Sequence, residues 1–195
     1  MTAPCHVGMA SLPAMGSSTC GDAAWIWEDV SRIRLVVVDA SGHGASAAHA
    51  CRTISQSDVL DPALSIQDQL LHLHQQLQGT VGAAGMVLEM DRQQTPATVR
   101  WVGVGNIRLW SQRAQPTPQQ GRPGLLGHRL PSIRHNRLSL QSNEAMFVAT
   151  DGVLSSAEHA TLTPGGHPSC ETWAHAIVHD HHRSHDDATL VILCP

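Results

Sequence analysis

The sequence is organised around the stretch Val36-Val37-Val38-Asp39-Ala40-Ser41-Gly42-His43-Gly44. Its valines end an apolar run, and such β-branched residues predict a buried strand over Arg32 to Val38. Asp39 follows at the end of this strand, and the two glycines permit a tight turn close to a ligand. The segment from Ala45 to Val59 predicts a helix. A carboxylate between a strand and a glycine turn favours metal binding, although aspartate is also an ordinary turn and capping residue.

Composition limits the classes of function. The chain has 195 residues, enough for a substantial core, and we expect a single domain over residues 1–195. The net charge of −4 gives no electrostatic footprint for nucleic acid. No stretch is apolar and long enough to span a membrane, and Met1 to Gly8 lacks the pattern of a signal peptide. These features predict a cytoplasmic protein that binds neither nucleic acid nor membrane.

The cysteine pattern supports the same compartment. The number of cysteines is odd and no two form a CxxC pair; they are Cys5, Cys20, Cys51, Cys170 and Cys194. This pattern argues against a disulfide framework and against a zinc ribbon, and it favours a reducing environment.

The order of predicted elements indicates the fold class. Apolar runs predict strands over residues 7–12, 23–28, 32–38, 85–90, 98–104, 107–111, 137–141, 145–150 and 187–194, and helices over 45–59, 66–78 and 170–180. Gly105-Asn106 is a tight-turn signal, and the polar residues 112–124 and 163–168 are interpreted as loops. Hairpin connections dominate, so we expect mainly antiparallel sheets in an α+β fold.

Acidic residues recur where predicted strands begin or end. Asp22 follows Gly21, Asp39 and Asp151 each follow an apolar strand, and the pair Asp186-Asp187 precedes the last strand. If these strands lie side by side, their carboxylates converge, and clustered carboxylates repel one another without cations. Oxygen ligands of this kind suit Mg²⁺ or Mn²⁺.

The acidic segments resemble the four motifs of metal-dependent PP2C-type (PPM) Ser/Thr phosphatases, in the family's order. They are Gly21-Asp22, Asp39-Ala40-Ser41-Gly42-His43-Gly44, Thr150-Asp151-Gly152 and Asp186-Asp187-Ala188-Thr189-Leu190. The most similar branch is the bacterial one with SpoIIE, RsbU and RsbX. A catalytic domain without attached sensor segments resembles the RsbX-like stressosome phosphatases, and so does the turn Val102-Gly103-Val104-Gly105-Asn106.

The resemblance implies a four-layer αββα sandwich and a cleft with two Mn²⁺ or Mg²⁺ ions. Asp39 would bridge both ions; Asp22 and the Ala40 carbonyl would hold one, and Asp151 and Asp186 the other. The residues that surround these metal ligands would be Asp187, Gly42 and Gly152. Asp39 and His43 are the implied catalytic residues. His43 is a candidate general acid for the leaving oxygen, but a turn histidine bonded to backbone is an equal alternative.

The implied function is dephosphorylation of phosphoserine or phosphothreonine on STAS-domain scaffold proteins of a stressosome, which would reset a bacterial stress-signalling partner switch. We expect a monomer. Two alternatives stay open: a partner-switching phosphatase that acts on an anti-sigma factor antagonist, and a pseudophosphatase that only binds. The four intact acidic motifs argue against the second.

The sequence departs from the eukaryotic members of the family in one respect. They hold phosphate with an arginine near the N-terminal strand, and no arginine occurs between Met1 and Ser31. We therefore expect the metal ions to hold the phosphate and protein docking to give specificity. The polar loop from Gln112 to His128 is the candidate docking element.

A histidine-rich tract offers a competing metal site. Its residues are His179-Asp180-His181-His182 and His185. Their order does not match the His-x-His-x-Asp-His motif of zinc hydrolases. They also follow a predicted helix, where histidines suit the helix dipole, so we do not interpret them as a zinc site.

Overall fold

A computed structural model describes residues 6–55, 59–112, 118–161 and 169–194. Its strands are β1 His6–Leu12, β2 Asp22–Glu28, β3 Arg32–Ala40, β4 Ala83–Asp91, β5 Ala97–Val104, β6 Arg108–Ser111, β7 Gln119–Gln120, β8 Asn136–Leu140, β9 Met146–Ala149 and β10 Ala188–Cys194. Its helices are α1 Ala45–Ser55, α2 Ile66–Gln76, α3 Ser156–Ala160 and α4 Cys170–His181.

The strands form two antiparallel sheets. The first, sheet A, has the order β1-β10-β9-β6-β7, and the second, sheet B, has the order β2-β3-β4-β5-β8. Strands β2 and β3 form one of the expected hairpins, with Asp22 opposite Asp39. A short connection also joins β4 to β5 as a hairpin. Strand β4 pairs antiparallel with β3 as well, but α1 and α2 lie between these two strands in the chain.

Three apolar cores separate four layers. The central core lies between the sheets, a second packs α1 and α2 on sheet B, and a third packs α3 and α4 on sheet A. The valine run illustrates the packing, because Val37 faces the central core while Val36 and Val38 face the helices. A strand buried on both faces needs continuous rather than alternating apolar residues. The predicted αββα sandwich is therefore confirmed.

Several predicted boundaries change. Strand β3 continues to Ala40, so Asp39 lies inside the strand instead of after it. The predicted loop 112–124 contains β7, which pairs with β6. The short helix α3 was not predicted, because five residues are too few to show helical periodicity. Residues 56–58 of the first predicted helix and the loop 163–168 lie outside the described residues.

The Gly105-Asn106 turn carries the chain from one sheet to the other. Strand β5, before the turn, belongs to sheet B, and β6, after it, belongs to sheet A. Gly105 has φ of +91°, and a Cβ there would lie 2.5 Å from the Cβ of Ala84. Glycine is therefore required for both conformation and space.

The cysteine prediction needs correction. The structure joins Cys170, the first residue of α4, to Cys194, the last residue of β10, by a disulfide. Sequence spacing did not reveal the pair, because tertiary packing of α4 on sheet A brings the two residues together. Cys20 and Cys51 are free thiols. The cytoplasmic prediction thereby loses its support from the cysteines. No helix in the described ranges is long and apolar enough to cross a membrane.

Candidate metal centre and active site

The first two carboxylates face each other across β2 and β3. Asp22 and Asp39 are register partners, and they lie on the same strand faces as Ala24 and Val37, which contact the central core. Burial and the charges of neighbouring aspartates raise the pKa of both carboxyl groups above the ordinary value. The site therefore lies at one end of the gap between the sheets, where two carboxylates repel each other.

Thr150 connects this pair to the other sheet. Its hydroxyl donates a 2.6 Å hydrogen bond to Asp22 Oδ2 and accepts a 2.9 Å bond from the Thr189 amide. Thr150 is fully buried, so the accepted bond from Thr189 directs its proton towards Asp22. This bond lowers the pKa of Asp22 and thus opposes the effect of burial. Thr150, in the third acidic motif, therefore holds the carboxylate of Asp22, in the first motif.

Acidic residues border an open cleft of about 630 Å³. Asp39, Asp151 and Asp186 all line it. Asp151 Oδ2 accepts a 2.7 Å hydrogen bond from the side-chain amide nitrogen, Nδ2, of Asn106. Burial and the charge of Asp151 raise the pKa of Asp186. The structure thus brings the three lining carboxylates together around one cavity, with Asp22 buried beside them.

Asp187 has a different role from its neighbour. It is only 2% exposed, and its two oxygens accept hydrogen bonds from the backbone amides of Ala14 and Gly21, at 2.8 and 2.7 Å. These bonds hold the segment that leads into Asp22. Gly152 packs against the same residue, because a Cβ there would lie 1.9 Å from the Asp187 carbonyl oxygen. Asp187 and Gly152 therefore support the site through backbone packing.

We expect Asp187→Asn to destabilise the chain. An amide can accept only one of the two backbone hydrogen bonds, and its NH₂ group would face the second N–H donor. The expected loss is about 2 kcal/mol of unfolding free energy, measured by chemical denaturation. Asp180→Asn, which makes the same change at an exposed position, is the control and should shift the midpoint far less, because its contact with His179 is exposed to solvent. An Asp187→Asn variant as stable as the wild type would contradict this role.

The other predicted residues take varied positions. Gly42 lines the cleft with φ of +80°, and Ala40 is buried at the end of β3. His43 is exposed and is not among the residues that line the cleft. In the part of the chain that the structure describes, it makes no hydrogen bond. The alternative in which His43 bonds to backbone therefore receives no support, and its role as an acid stays a prediction.

The donor chemistry fits a hard divalent cation. Among the described residues, no group of three His, Cys, Asp or Glu side chains is placed to hold one metal ion. Carboxylate oxygens nevertheless border the cleft from three segments of the chain, and burial together with neighbouring carboxylates raises the pKa of Asp39 and Asp186. A divalent cation would relieve this repulsion, and oxygen donors without sulfur or imidazole suit Mg²⁺ or Mn²⁺.

The histidine tract makes local contacts instead. His179 contacts Asp180, His181 contacts Ser156, and His182 bonds to the backbone oxygen of Asp186. These contacts tie the end of α4 to its surroundings. The tract therefore resembles a helix terminus more than a zinc site.

Sequence reasoning missed two supporting residues. The motif around Thr150 assigns that residue no role, and the sequence around Asn106 indicates only a turn. Both act across the fold: Thr150 on Asp22, and Asn106 on Asp151. Sequence separations of 128 and 45 residues gave no signal for these pairs.

Comparison with known proteins agrees with this geometry. Among solved structures, a chain from work on the bacterial stressosome as a modular system that controls secondary messenger signalling aligns with TM-score 0.82 and 24% identity. The alignment covers 98% of this chain and 100% of that one. RsbX in complex with magnesium aligns with TM-score 0.81 and 17% identity over 97% and 94% of the two chains.

A third structure contains the PP2C phosphatase domain and a regulatory fragment of SpoIIE from Bacillus subtilis. It aligns with TM-score 0.81 and 16% identity over 100% of this chain and 64% of that one. At these identities the alignments show the shared PP2C-like fold. Among curated proteins, none matches the chain significantly.

The family assignment comes from a family model. The model of stage II sporulation protein E (SpoIIE) matches residues 29–195. The match begins after Asp22 and includes Asp39, Asp151 and Asp186. Together with the PP2C-like fold, it confirms the branch that the acidic motifs predicted. This chain belongs to the SpoIIE family of PP2C-like phosphatases.

Proposed function

We propose that this chain is a metal-dependent protein serine/threonine phosphatase. The observation that carries the proposal is the cleft in which Asp39, Asp151 and Asp186 meet, with Asp22 buried beside Asp39. A binding module has no need to gather carboxylates whose mutual repulsion is costly. Family membership supports the same activity.

Two Mn²⁺ or Mg²⁺ ions are the proposed cofactors. Asp39 would bridge them, with Asp22 and the Ala40 carbonyl on one side and Asp151 and Asp186 on the other. Such ions, when bound, neutralise a phosphoester dianion and make a bound water a stronger nucleophile at neutral pH.

The protein contributes positions and protons. Thr150 donates a hydrogen bond that favours the charged form of Asp22, and Asn106 donates a hydrogen bond to Asp151 beside the cleft. His43 follows the cleft-lining Gly42, so we propose that its ring nitrogen carries the proton that the leaving oxygen needs.

STAS-domain scaffold proteins of a stressosome are the proposed substrates, and resetting a stress-signalling partner switch in the cytoplasm is the proposed role. The resemblance to RsbX and the fold shared with a chain from stressosome work support this choice. An anti-sigma factor antagonist is the alternative substrate, since both kinds of protein belong to partner-switching systems. We propose that the catalytic unit is a monomer.

The decisive experiment measures phosphate release from phosphorylated proteins. With Mn²⁺ or Mg²⁺, the chain should hydrolyse a phosphorylated STAS-domain scaffold protein, and EDTA should stop the reaction. Zn²⁺ should not replace these ions, because the donors are oxygens only. Activity that survives thorough chelation, or that only Zn²⁺ restores, would contradict the carboxylate metal centre.

The same assay separates the alternatives. A higher kcat/KM for a phosphorylated anti-sigma factor antagonist than for the scaffold protein would favour the alternative substrate. Binding of phosphoprotein without phosphate release at any tested metal concentration would identify a pseudophosphatase.

A further inference from the structure

Charge is unevenly distributed along the chain. No aspartate or glutamate occurs between Asp91 and Glu144, although the whole chain has a net charge of −4. Every basic side chain of the Lys/Arg class in this stretch is an arginine. Several of these arginines are exposed; they are Arg100, Arg122, Arg129, Arg134 and Arg137. A strongly basic segment therefore lies within an acidic protein.

This basic segment forms one side of the cleft. Residues 121 and 123–125 line the cavity, so Arg122 lies between two lining positions. The backbone of Arg129 pairs with that of Leu125, which places Arg129 directly behind the lining residues. Arg134 follows a few residues later, just before β8. We call Arg122, Arg129, Arg134 and Arg137 the arginine wall; Arg122 is at its cleft end, and Arg137, opposite Arg100 on β5, is at the end away from the cleft.

Backbone packing fixes the base of the wall. The Arg122 amide donates to the Gly103 carbonyl, and the Leu126 amide donates to the Ala83 carbonyl, at 3.1 and 2.8 Å. Gly121 is pressed against Gly103, where a Cβ would lie 2.4 Å from the backbone carbon. The backbone of this segment is therefore held against sheet B.

Fixed side-chain positions accompany this backbone. Arg122 Nη1 donates to the Ser132 hydroxyl at 2.7 Å, and Arg137 Nη2 donates to the Thr98 hydroxyl at 3.2 Å. Each of these contacts uses a neutral acceptor and leaves the positive charge uncompensated. Among the residues that the structure describes, none of the four wall arginines forms an ion pair.

Strand pairing adds a like-charge contact. Arg100 on β5 and Arg137 on β8 are direct register partners. In the same cross-strand row, the neighbouring carboxylate is that of Glu89, and it pairs with Arg34 at 2.6 Å instead of with Arg100. Like charges directly opposite each other destabilise a sheet pair. A negatively charged partner on this face would relieve that cost.

We propose that the arginine wall docks an acidic polypeptide segment of the phosphoprotein substrate beside its phosphorylated residue. This inference rests on the proposed phosphatase function. The carboxylates of the cleft repel an acidic substrate, and the adjacent wall supplies the complementary charge that orients it. Guanidinium groups also pair with carboxylates through two parallel hydrogen bonds, which gives arginine an advantage over lysine.

An acidic polypeptide fits this surface better than nucleic acid. Residues 121–137 contain no Phe, Trp or Tyr on which bases could stack. The net negative charge of the chain and the carboxylates of the cleft also oppose a long polyanion. Short acidic segments next to a phosphoresidue avoid that repulsion.

The test compares two phosphoserine peptides that share one central sequence. One carries flanks of aspartate and the other carries flanks of glutamine. The wild-type chain with Mn²⁺ should show a kcat/KM about tenfold higher for the acidic peptide, since several exposed charge pairs act together. This preference should disappear at high salt, where exposed charges are screened.

Two sets of variants locate the effect. Arg129→Gln/Arg134→Gln changes two exposed side chains that form no hydrogen bond or ion pair with the described residues, and a second variant adds Arg122→Gln. Both variants should lower the ratio of kcat/KM for the acidic peptide to kcat/KM for the glutamine peptide. In the triple variant, which carries all three substitutions, this ratio should approach one. Arg52→Gln, at an exposed position in the last turn of α1, is the matched control and should keep the wild-type ratio.

The result that overturns the proposal is an acidic preference that the triple variant retains, or no preference in the wild type. Equal competition by a single-stranded oligonucleotide of the same charge would show a general polyanion surface and would also overturn it. The proposed function is judged separately, by phosphate release from the phosphoprotein. If the wild type hydrolyses neither peptide, fluorescence anisotropy of the labelled peptides tests docking on the wall, and equal affinity for the two peptides overturns the proposal.

Discussion

Replacing Asp39 with asparagine should lower phosphatase turnover about a thousandfold while the chain stays folded. Asp39 is the proposed ligand of both metal ions, and it is the cleft residue that directly faces Asp22 across β2 and β3. An amide has the same shape but carries no charge to hold two cations. Phosphate release and Mn²⁺ affinity by calorimetry should therefore fall together.

The stability of the metal-free variant provides a second measurement. Burial and neighbouring carboxylates raise the pKa of Asp39, so its contribution to folding declines as pH rises above the ordinary carboxyl pKa of about 4. Asparagine does not ionise. In EDTA at pH 8 the variant should therefore melt at a higher temperature than the wild type, and the difference should shrink towards pH 4.

Asp68→Asn, at an exposed position in the first turn of α2, is the matched control and should keep normal turnover. Near-normal turnover of Asp39→Asn would show that another residue bridges the ions. A variant with lost turnover but normal Mn²⁺ affinity would assign Asp39 a role in catalysis without metal bridging.

The fold was largely predictable from local sequence patterns. The valine run indicated β3, and the regular spacing of Leu70, Leu73 and Leu77 indicated α2, because burial of one or two faces leaves a periodic signature. The sheet order was available only through the family resemblance. The sequence could not predict that the chain passes from sheet B to sheet A at Gly105. A glycine turn has the same sequence pattern whether the next strand pairs with the preceding strand or belongs to another sheet.

The acidic residues of the candidate site were also predictable, since each one lies in a recognisable motif. Their supports were not. Asp187 bonds to the amides of Ala14 and Gly21, and Thr150 bonds to Asp22, through contacts that only the assembled sandwich creates. The disulfide between Cys170 and Cys194 belongs to the same class of long-range contact. Sequence patterns report the face of an element that is buried, but they do not report which element covers it.

Replacing Arg108 with methionine should cause the largest loss of stability among the variants discussed, about 3–5 kcal/mol. The Arg108 guanidinium is almost fully buried, where Nη1 pairs with Glu158 of α3 and Nη2 donates to the Val153 carbonyl. Methionine would leave the Glu158 carboxylate buried without its counter-charge. It would also release the turn that follows Asp151, so Mn²⁺ affinity should fall in the same variant.

The double variant Arg108→Met/Glu158→Met separates the two effects. With both charges replaced by apolar side chains of similar length, most of the lost unfolding free energy should return, because no unpaired charge is left in the interior. The Mn²⁺ affinity should stay low, since the Val153 carbonyl still lacks its donor. Arg92→Met, which removes a pair with the exposed Glu28 and a hydrogen bond to the Asp29 carbonyl, is the control and should cost less than about 1 kcal/mol. A single variant as stable as this control in urea denaturation would show that the buried pair does not hold α3 to sheet A.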